Sequence, residues 1–139
     1  MSDEKSSTGF EELTHTADWA MRVWAPTLEE LFVQAAKGMN ALSGARLVRG
    51  RRVKRTFTAE SADEESLLVI FLSELIYLAE QENLGFTKFA MRISKSRIGV
   101  KMEGAPLESL NKAIKAVTYH NLNIRQTAQG CEVEIVFDV

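Results

Sequence analysis

Two aspartates stand near opposite ends of this sequence in settings that raise a chemical question. Asp18 closes "HTAD" ahead of the strand-like "WAMRVW", and Asp138 precedes Val139 in "EIVFDV". In "VEIVFDV", strand alternation puts Val133, Ile135 and Phe137 on one face and Glu132, Glu134, Val136 and Asp138 on the other. A strand end carrying the Asp138 side chain and the carboxylate of Val139 is mutually repulsive unless a cation or an Arg/Lys neutralises it. Adding Asp18 makes a hard, all-oxygen cluster suited to Mg²⁺, Ca²⁺ or Mn²⁺. On spacing alone, a turn-capping Asp18 and a solvated Asp138 are the better account, because nothing local brings the two positions together.

Other residues with potential chemistry are weaker. His15 and His120 each flank a strand candidate, where a hydrogen-bonded structural histidine is commoner than a metal ligand. In "KAIKAVTYHNL", Lys115, Thr118 and His120 bracket a Val-Tyr pair, and their spacing reads as a strand with a polar edge. Cys131 is the single cysteine, which excludes an internal disulfide framework and a Cys-rich zinc site and suits a small packed residue. The sequence has no G-x-S-x-G elbow, no P-loop and no G-x-G-x-x-G, so neither a standard hydrolase nor a standard phosphate cradle is indicated. "RLVRGRRVKR" (46–55) holds six basic residues and suits either a phosphate backbone or an acidic partner. It lacks the interleaved aromatics of a single-strand platform, and a solvated loop and strand face is the simpler reading.

The elements that must position these residues are legible. Thr27-Leu28-Glu29-Glu30 has the capping-box pattern. It opens a stripe of Leu28, Leu31, Phe32, Ala35, Ala36, Met39 and Leu42, closed by Ser43-Gly44. A second box, Ser61 to Glu64, opens a helix whose core face is Leu68, Phe71, Leu72, Leu75, Leu78 and Ala79. Leu67, Val69, Ile70 and Ile76 widen its apolar arc, which predicts packing on more than one side. Strand alternation marks 52–60, 86–94, 97–103, 114–120, 122–127 and 132–138, with a hairpin turn in "SKSRIG". The order β(β)αβα followed by several strands predicts an α+β single domain, two helices packed on mainly antiparallel β-sheet.

Composition bounds the rest. The chain has 139 residues, enough for one domain with a real core, and is 45% apolar and 26% charged. Its net charge of −2 gives no whole-molecule attraction to nucleic acid or anionic membrane. Residues 1–8 read as a flexible tail without a signal peptide, and "LLVIFL" is too short to span a membrane, so a cytoplasmic location is expected.

Taken together, "HTADWAMRVWAPTLEELF", "LLVIFLSELIYLAEQENLGF", "KAVTYHNL" and the closing "VFDV" resemble the archease family over roughly residues 10–139, which places an archease-like domain at 9–139. The resemblance implies an accessory protein rather than an enzyme. Its implied partner is an RtcB-type RNA ligase, which joins tRNA exon halves using GTP and Mn²⁺. The archease promotes guanylylation of the ligase and so multiple turnover. The resemblance also implies a metal site of Asp18, Asp138 and Val139, holding a divalent ion such as calcium, magnesium or manganese. His15, Lys115, Thr118 and His120 match family blocks and are candidates for the same docking surface. Two departures stand out. Ala20 replaces the glycine usual after the motif aspartate, and the loop "LESLNKAIKAV" lacks the usual histidine. Alternative readings are a small metal-dependent enzyme acting on nucleotide or RNA phosphates, and a chaperone-like partner of tRNA-modifying enzymes such as a tRNA methyltransferase. Direct RNA contact is left open.

Overall fold

The computed structural model describes residues 6–13 and 19–139. Nine strands and two helices follow the order β1 (Gly9–Leu13), β2 (Trp19–Ala25), α1 (Leu28–Ser43), β3 (Arg46–Leu47), β4 (Val53–Glu60), α2 (Glu64–Glu82), β5 (Leu84–Ser94), β6 (Arg97–Ser109), β7 (Ala116–Val117), β8 (Arg125–Thr127) and β9 (Gly130–Asp138) among the described residues. This is an α+β fold in which every strand pairing is antiparallel.

The strands form two sheets. One runs β1-β2-β9-β7, with β8 also paired to β9. The other centres on β6, flanked by β3, β4 and β5. Among the described residues the backbones of both helices run close to both sheets, whereas no strand backbone of one sheet runs close to a strand of the other. The two helices are therefore the joint of the molecule, which is why the apolar arc of α2 is so wide. Leu67, Leu68, Phe71 and Leu72 on consecutive turns are all inaccessible to solvent. Phe71 stacks on Phe32 of α1 at 6.2 Å and meets Phe89 of β5 edge-on at 5.9 Å. One ring thus ties α1, α2 and the second sheet together, in geometries aromatic pairs prefer.

Local chemistry explains the boundaries. The Thr27 hydroxyl accepts from the Glu30 amide at 3.1 Å, and Gly44 ends α1 in the left-handed region at φ 68°. The start of α2 corrects the sequence expectation. Its cap is Asp63, whose carboxylate accepts from the Ser66 amide at 2.7 Å, rather than Ser61. Both residues are good caps by type; the carboxylate two residues on reaches the exposed amide and adds favourable charge at the helix N-terminus. Lys95, at φ 55°, turns the β5–β6 hairpin as "SKSRIG" suggested. Gly104 on β6 is needed because a side chain there would meet the Gly85 carbonyl at 1.8 Å, beside the register shift between Phe86 and Lys88.

Two expected strands are much shorter than their alternation suggested. Of 114–120 only Ala116–Val117 pairs, and of 122–127 only Arg125–Thr127. The intervening chain satisfies its backbone elsewhere. The Leu122 amide donates to the Tyr119 carbonyl at 3.1 Å, Asn121 takes φ 53°, and the Ile124 amide donates to a Glu65 carboxylate oxygen at 2.9 Å. Strands β1 and β3, by contrast, were not delimited by sequence pattern.

Cys131 is a packing residue. It is 4% exposed, and its thiol donates weakly to the Ala25 carbonyl at 3.6 Å. Burial, reinforced by the Glu64 carboxylate, pushes its pKa up, so the thiolate is scarcer than for an ordinary cysteine at any pH below that value.

Two predictions follow from this packing. In chemical denaturation, Asp63→Ala is expected to lower stability by about 1 kcal/mol while Ser61→Ala has little effect; the opposite ranking would restore Ser61 as the cap. The native thiol is expected to react with a disulfide reagent at neutral pH far more slowly than the denatured chain, and equal rates would contradict its burial.

Candidate functional site at the end of strand β9

The candidate site is built on β9, the strand flanked on both edges. Val133, Ile135 and Phe137 point into the core at 0–1% exposure, while Glu132 and Glu134 are half-buried and Asp138 is exposed. The alternation read from the sequence holds, except that Val136 on the polar face is itself buried.

One edge of β9 pairs with β2 in continuous register, from Ala25 opposite Cys131 to Trp19 opposite Phe137. The chain thus enters β2 one residue from Asp138. His15 and Asp18 lie outside the described residues, so their side chains are not placed. Among the described residues, no group of three His, Cys, Asp or Glu side chains is gathered closely enough to hold a metal ion.

The other edge carries the "KAVTYH" block. Ala116 pairs with Asp138 and Val117 with Phe137. The Lys115 amide donates to the Asp138 carbonyl at 2.8 Å. Thr118 holds the next step: its amide and its hydroxyl both donate to the Val136 carbonyl at 3.0 Å. Its hydroxyl oxygen also accepts from the His120 amide at 3.3 Å. Thr118 is therefore a backbone staple, and His120 is an exposed residue of the turn beyond it, with an Asn121 amide 3.3 Å from its ring nitrogen. The structure brings Lys115 and Thr118 to the end of β9 and leaves His120 at the periphery. Val139 is half-buried against the core, and the Asp138 side chain makes no hydrogen bond or ion pair among the described residues.

Sequence reasoning missed two features here. Lys112 sits over the Trp19 ring at 5.8 Å, a cation–π contact that ties the 110–115 loop to the start of β2. Lys115 also rims an apolar cleft of about 140 Å³ lined by Met39, Leu75, Phe86, Leu107 and Ile114. The apolar Leu110 and Ile114 in an otherwise polar loop are the sequence signal that could have found it.

Two of the cations of 46–55 are committed to carboxylates other than Asp138. Arg52 and Arg55 pair with Glu103 and Glu82 at 3.4 and 2.8 Å. No helix among the described residues is long and apolar enough to cross a membrane.

Comparisons with known proteins agree with the fold and identify the family. A protein called archease from Methanosarcina barkeri is 35% identical over 94% of this chain and 95% of its own length. One from Thermococcus kodakarensis is 33% identical over 87% and 91%. The solution structure of protein 1598 from Methanobacterium thermoautotrophicum matches with a TM-score of 0.68 at 22% identity, over 94% of this chain and 99% of that one. The crystal structure of an archease, described as a possible chaperone, from Thermotoga maritima matches with a TM-score of 0.68 at 20% identity, over 93% and 96%. These two likenesses concern the fold. The model of the archease protein family (MTH1598/TM1083) matches residues 10–139, and the chain belongs to that family.

Proposed function

We propose that this archease is an accessory protein of an RtcB-type RNA ligase, promoting the ligase's GTP-dependent guanylylation and hence multiple turnover on split tRNA. The observation that supports the reading most is the meeting of three sequence blocks at one strand end. Trp19 follows Asp18 in sequence and pairs with Phe137, which precedes Asp138. Lys115 and Thr118 hold the same end from the other edge.

In this reading Asp18, Asp138 and an oxygen of Val139 hold a divalent ion. The donor set fits: it is all hard oxygen, and the Asp138 carboxylate is exposed and uncommitted among the described residues, as Ca²⁺, Mg²⁺ or Mn²⁺ requires. Bound there, the ion supplies positive charge and exchangeable coordination at a rigid tip. The chain's own residues do the positioning. The Lys115 amide fixes the Asp138 peptide, and the buried Phe137 sets which way the Asp138 side chain leaves the strand. Docking then favours the guanylylation-competent state of the ligase only through tighter interaction with that state than with the resting one. The reading carries with it a cytoplasmic location and a non-catalytic role. A chaperone-like role is the second reading, in keeping with the words "possible chaperone" used of the Thermotoga protein, and tRNA-modifying enzymes such as a tRNA methyltransferase are the partners it would serve. It predicts effects on several partners and indifference to Asp18.

The test is ligation of split tRNA by a limiting amount of the cognate ligase with GTP and Mn²⁺. Added chain is expected to convert a stall after one turnover into sustained turnover. Asp18→Ala and Asp138→Ala, folded by circular dichroism, are expected to lose at least about tenfold of that gain, the least that disturbed metal sites typically forfeit. Full activation by both variants would overturn the carboxylate role. Turnover of GTP or RNA by the chain alone with Mn²⁺ would make it an enzyme instead.

A further inference from the structure

Residues 46–55 hold six cations in a chain of net charge −2, and the structure divides them. Arg52 and Arg55 are ion-paired. Arg46, Arg49 and Arg51 are exposed and make no ion pair among the described residues. They belong to β3 and the turn after it, which is anchored rather than loose. Leu47 pairs with Leu107, and the Val48 amide donates to the Pro106 carbonyl at 2.8 Å. At Gly50, φ is 83° and no atom lies within 4 Å of where a Cβ would stand, so the tip is open to an approaching backbone. Arg46 and Arg49 line one shallow depression together with Leu47 and Glu108. Lys54 on β4 adds an exposed cation beyond the turn.

We propose that the Arg46–Arg51 turn is a binding surface for the phosphate backbone of nucleic acid, read without regard to sequence. Arg46, Arg49 and Arg51 outnumber Glu108, the one carboxylate that lines the depression, so the turn keeps a positive excess that an anionic chain would neutralise. Phosphate suits them because the planar fork of Arg donates to it in pairs. Arg is also frequent at protein interfaces, but there it works beside buried aromatic or apolar anchors, which this turn does not offer. The exposed large apolar side chains among the described residues are Tyr77, Leu110 and Tyr119; none lies in 46–55, and Leu110 lines the apolar cleft. The segment has no aromatic platform on which successive bases could stack, which favours backbone contact as the mode. The inference is independent of the ligase reading, because it uses neither Asp18 nor Asp138.

Fluorescence anisotropy of a labelled single-stranded RNA oligonucleotide with the full chain tests it. Binding is expected to weaken with salt at a log–log slope of about −2, the value for three contacts on a single strand. Arg46→Gln/Arg49→Gln/Arg51→Gln is expected to flatten the slope and weaken low-salt binding at least about tenfold. Arg49→Gln/Arg51→Gln leaves β3 untouched and is expected to go part of the way, so the test stands even if the triple variant folds poorly. Lys88→Gln/Lys101→Gln, on exposed positions of β5 and β6, is expected to bind as the parent does. Absence of salt-dependent binding, or unchanged affinity in both arginine variants, would overturn the proposal. So would displacement of the RNA by polyglutamate as readily as by unlabelled RNA, which would make the surface a docking site for an acidic polypeptide.

Discussion

The constraint on which the site depends is the pairing of β9 on both edges. Its inward side chains, Val133, Ile135 and Phe137, are shut from solvent, so its register cannot slip by one residue without burying Glu134 and Asp138 and exposing Phe137. The same hydrophobic burial that stabilises the sheet therefore fixes where Asp138 emerges. Core and site are not separate achievements of the sequence at this strand. The residues that would hold a ligand there are positioned by residues that never touch one.

The helices transmit that rigidity to the rest of the molecule. Among the described residues α1 and α2 are the first link between the two sheets, and the Phe32–Phe71–Phe89 contacts lie at that joint. The 110–115 loop is the second link, crossing from β6 in one sheet to β7 in the other. It is held by the Asn111 and Lys112 amides, which donate to the Ser43 carbonyl at 2.8 and 3.2 Å. Lys112 over Trp19 and the Lys115 amide on Asp138 then complete the path from the end of α1 to the end of β9. A partner gripping this tip would meet a surface backed by both sheets rather than a free loop.

Much of this was legible in the sequence because it rests on periodicity. The α1 stripe, its Thr27 and Gly44 caps, the wide arc of α2 and the alternation of β9 all stand where their patterns put them. What was not legible depends on partners distant in sequence. Asp63 and Ser61 are equally good caps by type, and only the path of the chain chooses between them. The 114–127 stretch alternates like a strand, yet the Thr118 hydroxyl and the Glu65 carboxylate take its amides out of the sheet. The split of the 46–55 arginines into paired and unpaired sets depends on Glu82 and Glu103, far along the chain. The convergence of the "KAVTYH" block on Asp138 came from the resemblance of the whole chain to a family, since no local spacing encodes it. Asp18 itself is reached only by that resemblance and by its place next to Trp19 in the sequence.

Whether the end of β9 holds a metal ion can be read by paramagnetic broadening of backbone amide signals by Mn²⁺, which needs no partner and reports position. Broadening is expected to be strongest at the end of β9 and its two edges, at Asp138, Val139, Trp19 and Lys115 through Val117, and to fall off with distance from them. Asp138→Asn is predicted to abolish it. Broadening centred elsewhere, or unchanged by that substitution, would mean that the β9 end is a solvated strand terminus and that the metal reading is wrong.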